Sequence, residues 1–91
     1  MYHITDYTRA KAKSLGVVVK PSSNPKKKID VFKQSKKIAS IGFLGSNDYP
    51  TYMKEKGLEY ANNRRRLYDI RHKNDMNVYG TNGFYAKRLL W

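Results

Sequence analysis

The excess of positive charge is the feature that most limits how this chain can fold. The 91 residues include 19 Lys or Arg against 7 Asp or Glu, which gives a formal net charge of +12. The excess runs through both halves, and Asp6 and Asp30 are the acidic residues of the first half. Such a charge repels itself in a compact state unless an anion lies nearby. We therefore expect the chain to bind a polyanion or to belong to an assembly that supplies negative charge.

The length and composition allow one small domain with a thin core. Hydrophobic residues make up 40% of the chain, well above the content of a disordered sequence. The absence of Cys excludes disulfide bonds, thiolate zinc sites and a Cys nucleophile. No apolar run approaches the roughly 20 residues that a membrane helix needs, and the first residues lack a signal-peptide pattern. These features predict synthesis inside the cell and no membrane span.

The chain divides into a basic N-terminal arm, residues 1–14, and a single small α+β domain, residues 15–91. For the arm, a short helix that begins at Thr5 and an extended conformation are equally favoured. Within the domain, residues 15–45 carry the strands and a Lys-rich loop, because β-branched residues and turn residues dominate there. Residues 46–91 form a helical half.

Short β-branched runs predict the strands. Residues 15–20 form the first run, and the two Pro of residues 21–25 indicate a loop after it. Residues 28–33 and 36–43 predict a hairpin whose turn, residues 34–35, contains no Gly.

Capping residues predict the helices. Asp48 suits the N-terminus of a short helix that Gly57 ends or bends. A longer helix follows over residues 58–73, and Thr81 suits the start of a last helix over residues 82–91. The expected fold class is therefore α+β, with a small two- or three-stranded antiparallel sheet followed by two or three helices. We expect its helical core to contain the following residues: Tyr60, Leu67, Phe84, Leu90 and Trp91.

The helix over residues 58–73 carries basic residues on its apolar face. At about 100° per residue, one arc contains Tyr60, Ala61, Leu67 and Tyr68 together with Arg64 and Arg71. Arg65 and Arg66 lie outside this arc and are expected to reach solvent. Two interpretations of Arg64 and Arg71 remain open. They extend along the domain edge and pair with carboxylates, or they join Tyr68 in a surface that binds phosphate or a partner protein.

Two groups of Lys flank the predicted hairpin, Lys26–Lys28 and Lys36–Lys37. A Lys run is commonly a solvated face, but no acidic block balances this one. Such a run can lie on a phosphate backbone and release counterions, and it can equally line an acidic protein surface. The candidate polyanion- or partner-binding residues are therefore Lys26, Lys27, Lys28, Lys36, Lys37, Arg64, Arg65, Arg66, Tyr68 and Arg71.

The sequence contains no recognisable arrangement of residues for reaction chemistry. His3 and His72 are the only His residues, and their spacing suits no metal site. No phosphate-cradling Gly loop, nucleophile motif or close carboxylate pair is present. We expect no enzymatic activity, no catalytic residue, no cofactor, no metal and no small-molecule substrate.

Several short motifs over about the last 50 residues carry a resemblance to known proteins. In order, they are Ser40-Ile41-Gly42, Asp48-Tyr49, Tyr52, Tyr60-Ala61, Arg64-Arg65-Arg66, Leu67-Tyr68, Arg71-His72, Gly83-Phe84-Tyr85-Ala86 and Leu89-Leu90-Trp91. This order resembles that of a group of small basic proteins encoded by large double-stranded DNA viruses of algae and protists. The resemblance implies a viral context and no mechanism.

Two functional interpretations follow from the charge and the resemblance. The first is a structural component of a viral particle, such as a minor capsid protein, whose basic Tyr/Arg surface contacts capsid or other virion proteins. The second is a sequence-nonspecific protein that binds DNA or RNA. The resemblance favours the first and places the protein in the virion, whereas composition alone favours the second.

Overall fold

The computed structural model describes residues 2–91 and contains three strands and four helices. In chain order these are α1 Asp6–Leu15, β1 Val18–Pro21, β2 Lys27–Lys33, β3 Lys36–Phe43, α2 Tyr49–Lys56, α3 Leu58–Arg71 and α4 Asn82–Leu90. The expected α+β class is confirmed, and the sheet is antiparallel with the order β1-β2-β3. The order of the elements differs from the expectation, because a helix precedes the sheet.

Helix α1 begins at Thr5, whose hydroxyl accepts a hydrogen bond from the Thr8 amide at 3.2 Å. Gly16 ends the helix in the left-handed conformation, with φ of 74°, which costs Gly little. Thr8 and Ala12 are buried against the rest of the protein. The helical alternative is therefore confirmed, and the extended one is wrong over residues 6–14. Because Gly16 closes the helix, the first strand begins at Val18, later than expected.

The sheet buries one row of aliphatic side chains. In the register, Val31 lies between Val19 of β1 and Ala39 of β3, and Ile29 lies opposite Ile41. Directly opposed residues share a face of an antiparallel sheet, and all five are buried. The predicted hairpin is confirmed.

The turn of this hairpin is formed without Gly. Gln34 and Ser35 both adopt positive φ, 53° and 67°, as two-residue hairpin turns that match the strand twist require.

Both predicted helix caps are confirmed. An Asp48 carboxylate oxygen accepts from the Thr51 amide at 3.1 Å, and the Thr81 hydroxyl accepts from the Phe84 amide at 3.2 Å. Gly57 separates α2 from α3 with φ of 94°. None of the helices described for residues 2–91 combines the length and the apolar character that crossing a bilayer requires.

The C-terminal residues form the helical core, as expected, but with different partners on α3. Leu90 and Trp91 are buried, and the Trp91 ring stacks on Tyr68 with 4.6 Å between ring centroids. Tyr60 is 44% exposed and Leu67 is only half-buried, so this part of the core prediction is wrong. Helix α3 turns Tyr68 inward instead of Tyr60 and Leu67.

Candidate functional site

A cleft of about 560 Å³ lies between the sheet and α3. The ends of β2 and β3, the loop after β3, and α3 contribute to its walls. We call it the α3 cleft and define it by its basic and aromatic lining residues, which are Lys27, Lys28, Arg64, Arg71, His72, Phe43, Tyr52, Tyr68 and Trp91. The cleft therefore brings together five predicted site residues from two distant segments of the chain: Lys27 and Lys28 of β2, and Arg64, Tyr68 and Arg71 of α3.

Three cations of the α3 cleft form no ion pair within residues 2–91, and the one acidic side chain among its lining residues, Asp48, is paired with Lys28. Of the three cations, Lys27 and Arg64 are half-buried and Arg71 is exposed. The Arg64 guanidinium carbon lies 5.4 Å from the centroid of the Tyr52 ring. Its Nε is buried and finds no hydrogen-bond acceptor within residues 2–91. A buried donor in this state costs about 1–3 kcal/mol, and an acceptor from outside relieves that cost only if the guanidinium turns toward the cleft.

Lys28 also lines the cleft, but its charge is already balanced. Its Nζ donates to Asp48 at 3.1 Å, and both side chains are almost fully buried. The Tyr2 hydroxyl donates to the same carboxylate at 2.6 Å. Burial raises the pKa of Asp48, but hydrogen bonds from Thr51 and Tyr2 and the charge of Lys28 outweigh it and hold that pKa below its ordinary value. Lys28 therefore supports the cleft wall rather than offering a free charge.

The backbone beside this ion pair depends on a glycine. Gly42 has φ of 78°, and a Cβ there would lie 2.9 Å from both Leu90 Cδ1 and Lys28 Cδ. Only Gly fits this position without a shift of its neighbours. The close approach lets β3 run on to Phe43 at the edge of the cleft.

Stacked rings form another part of the cleft. Tyr68 lies between Trp91 and His72, with centroid distances of 4.6 and 4.2 Å. Burial, followed by the carboxylates of Asp75 and Asp69, raises the pKa of Tyr68 to about 12. The phenol therefore stays protonated well above neutral pH.

Arg65 is placed differently from its neighbour Arg64. Its Nε donates to the main-chain oxygen of Trp91 at 2.8 Å, and its Nη2 donates to the Tyr7 hydroxyl at 3.1 Å. Its guanidinium also lies 3.6 Å from the centroid of the Tyr49 ring. Arg65 is half-buried rather than fully exposed as expected, and its hydrogen bonds tie α3 to α1 and to the end of α4.

The other arginines of α3 also differ in exposure. Arg66 is exposed and donates to Asn63 at 3.2 Å, as expected. Arg71 is exposed at the rim of the cleft, whereas the helical arc predicted that it would turn inward.

The two Lys groups of the hairpin do not meet. Lys36 pairs with Lys33 at the turn, whereas Lys27 pairs with Phe43 at the opposite end. The six residue steps along β2 separate these ends by about 20 Å. Lys26 is exposed in the turn before β2. The cleft therefore receives residues from the first Lys group and none from the second.

Lys37 takes part in a separate ion pair at 3.6 Å from Asp30. Burial raises the pKa of the Asp30 carboxyl, but hydrogen bonds from Ser22, Ser40 and Ser23 and the charge of Lys37 bring it down to about 2. Asp30 is thus an ionised, nearly buried acceptor that ties the loop after β1 to the sheet.

Phe43 is a cleft residue that the sequence pattern did not single out. The ring is 61% exposed at the end of β3. In the sequence it continues the alternation of a predicted strand, which suggests a core residue. The Gly-rich segment that follows, with Gly45 two positions later, was the available signal that the strand ends at an exposed edge.

Comparisons with known proteins assign no family to this chain. No family model, no curated protein and no solved structure matches it. The resemblance to viral proteins therefore stays a prediction, and the functional conclusion depends on the geometry of the cleft.

Proposed function

We propose that the protein binds nucleic acid without sequence specificity and that the α3 cleft holds the phosphate backbone. The observation that carries this proposal is the set of three cations, Lys27, Arg64 and Arg71, that share one cleft and have no ion-pair partner within residues 2–91. Grouped cations repel one another unless an anion lies between them. A ligand with several phosphates supplies that anion.

The residue types support phosphate as the ligand group. Arginine presents a planar fork of donors that matches phosphate oxygens, and the unpartnered Nε of Arg64 gains an acceptor if the guanidinium turns toward a phosphate in the cleft. Contacts to phosphates position a protein on nucleic acid but carry no sequence information. The net charge of +12 adds long-range attraction. Binding without a preferred sequence follows from these features.

The salt dependence of binding tests this proposal. The affinity for a labelled oligonucleotide is measured between about 50 and 200 mM salt, where counterion release makes phosphate binding steeply salt-dependent. In the variant Arg64→Gln/Arg71→Gln, the slope of log affinity against log salt should be smaller by about two, roughly one per lost contact. The matched control is Arg66→Gln/Lys73→Gln, which removes two exposed charges near the same helix but outside the cleft.

Two results would contradict the proposal. One is equal slopes for the two double variants, because then net charge alone would govern binding. The other is comparable binding of polyglutamate by the native protein, because an acidic protein surface would then serve as well as phosphate. A strong preference for one base sequence at constant salt would contradict the nonspecific part of the proposal.

A structural role in a viral particle is the second proposal. It draws on the resemblance of about the last 50 residues to viral proteins. Large apolar side chains are exposed outside the α3 cleft, among them Leu58, Tyr60, Ile70, Val78 and Tyr79, and a protein partner would bury them. It predicts that mass spectrometry of purified particles of the encoding virus detects the chain in stoichiometric amounts. Its absence from such particles would contradict this second proposal and leave the first intact.

A further inference from the structure

Phe43 gives the α3 cleft an aromatic surface that the fold does not use. It is the last residue of β3, and 61% of it is exposed. It pairs across the hairpin with Lys27. Directly opposed residues of an antiparallel pair share a face, with Cβ atoms about 4.5–5.5 Å apart. An exposed ring therefore lies beside one of the three unpaired cations.

The other aromatic rings of the cleft already pack against rings of the protein. Tyr68 and Trp91 stack on each other and are 7% and 8% exposed. Tyr52 contacts Tyr60 and Trp91, with centroids 5.5 and 6.0 Å apart. Phe43, by contrast, makes no ring-to-ring contact with any of residues 2–91. It is the aromatic face that the cleft leaves open to a ligand.

We infer that the α3 cleft prefers single-stranded nucleic acid, with one base stacked on Phe43 and neighbouring phosphates held by Lys27, Arg64 and Arg71. This inference rests on the proposed function and names the strand form of its ligand. The bases of a duplex are already paired and stacked, so an unpaired strand offers a base face without the cost of opening the helix. A cleft of about 560 Å³ falls within the range of about 300–1,000 Å³ that is usual for small ligand sites.

The stacking mode also agrees with binding that does not depend on sequence. Every base has an aromatic face, so stacking on a protein ring tolerates all four bases. A positively charged groove combined with an exposed ring is the arrangement that sequence-nonspecific single-strand binding requires. The Phe43–Lys27 pair supplies both parts at one edge of the cleft.

The experiment compares one mixed-sequence strand of about 12 nucleotides, within the usual site size for such surfaces, with the duplex of the same sequence. Fluorescence anisotropy at one low salt concentration measures both affinities. We expect the native protein to bind the single strand at least about tenfold more tightly. Phe43→Ala should lower the single-strand affinity by about 5- to 140-fold, the usual effect of one stacked base, and leave the duplex affinity unchanged.

Matched variants separate stacking from other effects of the substitution. Phe43→Trp should retain single-strand binding, and Phe43→Leu should weaken it because the side chain stays apolar but loses its ring. Leu58→Ala removes another exposed apolar side chain, 58% exposed and outside the cleft, and should change neither affinity. Thermal melting confirms that each variant is folded.

The outcomes distinguish this inference from the function on which it rests. Equal affinity of the native protein for the two strand forms, or full single-strand affinity in Phe43→Ala or Phe43→Leu, would overturn the inference and leave nonspecific binding in place. Failure of the native protein to bind either form at low salt would overturn the proposed function itself.

Discussion

Two groups of basic side chains lie on or beside α3 and differ in whether protein atoms accept hydrogen bonds from them or pair with their charge. On the side of α1 and α4, each of three cations donates to a protein oxygen. Arg65 donates to Trp91 at 2.8 Å, Lys87 to Asp69 at 2.6 Å and Arg88 to Met76 at 2.9 Å. We call these three the held cations. In the α3 cleft, Lys27, Arg64 and Arg71 have no ion-pair partner within residues 2–91. Part of the positive charge is therefore hydrogen-bonded inside the fold, and part lies in the cleft without an ion-pair partner.

Adjacent residues of one helix show the difference most clearly. Arg64 and Arg65 differ by about 100° around α3, which is enough to place them on different sides of the helix. Arg65 lies where two acceptor oxygens compensate the loss of its hydration. Arg64 lies where its Nε is buried without an acceptor within residues 2–91. We therefore expect changes at Arg65 to affect stability and changes at Arg64 to affect binding.

The largest expected effect comes from the buried ion pair beside the cleft. Lys28→Met leaves the Asp48 carboxylate buried without its cation and should lower the free energy of unfolding by about 3–5 kcal/mol. Lys27→Met, one position away, removes a charge that has no ion-pair partner within residues 2–91. Its free energy of unfolding should stay within about 0.5 kcal/mol of that of the native protein. Urea denaturation measures both. Equal losses in the two variants would remove the distinction between paired and unpaired Lys.

A smaller loss of stability is expected at the best-connected of the held cations. Arg65→Gln removes two charged hydrogen bonds and the contact with the Tyr49 ring. We expect the free energy of unfolding to fall by about 2–3 kcal/mol, since a hydrogen bond to a charged group contributes about 1.5–3 kcal/mol. Arg66→Gln, on the exposed neighbour, is the control and should change it by less than about 0.5 kcal/mol. A neutral result for Arg65→Gln would show that these hydrogen bonds do not hold the fold.

Lowering the pH should remove the stabilisation that the ionised Asp30 carboxylate gives to the fold. Its folded pKa of about 2 lies below the ordinary value of 3.8, so its stabilisation is present above about pH 4 and is lost as the pH falls toward 2. Near neutral pH, the free energy of unfolding of the native protein should exceed that of Asp30→Asn by on the order of 2 kcal/mol. Urea denaturation at a series of pH values measures this difference, which should shrink between about pH 4 and pH 2. A difference that stays constant through this range would contradict the lowered pKa.

Local signals explain why much of the fold was predictable. The alternating residues of β2 and β3 and the capping side chains of Asp48 and Thr81 act over a few residues, so their effect is visible in the sequence. The conformation of residues 1–14 was not decided by such signals. Short helices gain most of their stability from packing, and α1 packs on a helix far away in the chain: the Thr8 hydroxyl donates to the carbonyl of Leu89, 81 residues later.

The candidate site was only partly predictable for a related reason. The grouping of Arg64, Arg71 and Tyr68 follows from helical spacing. Which face of α3 points to the core, however, depends on the elements that pack against the helix. Tyr68 and Ala61 face the core instead of Tyr60, a rotation that turns Arg65 inward as well. The meeting of Lys27 with α3 is a tertiary contact that no local pattern encodes.

The buried Nε of Arg64 has no acceptor within residues 2–91, whereas Arg65 donates to two oxygens. The arginine Nε–Hε signals in a ¹H–¹⁵N spectrum test most directly whether a phosphate reaches Arg64, as we propose. The spectra of Arg64→Gln and Arg65→Gln assign the two signals by their absence. On addition of the single-stranded oligonucleotide, the Arg64 signal should shift and its hydrogen should exchange more slowly with water, while the Arg65 signal stays in place. A shift of the Arg65 or Arg66 signal with an unchanged Arg64 signal would contradict the assignment of phosphate binding to Arg64.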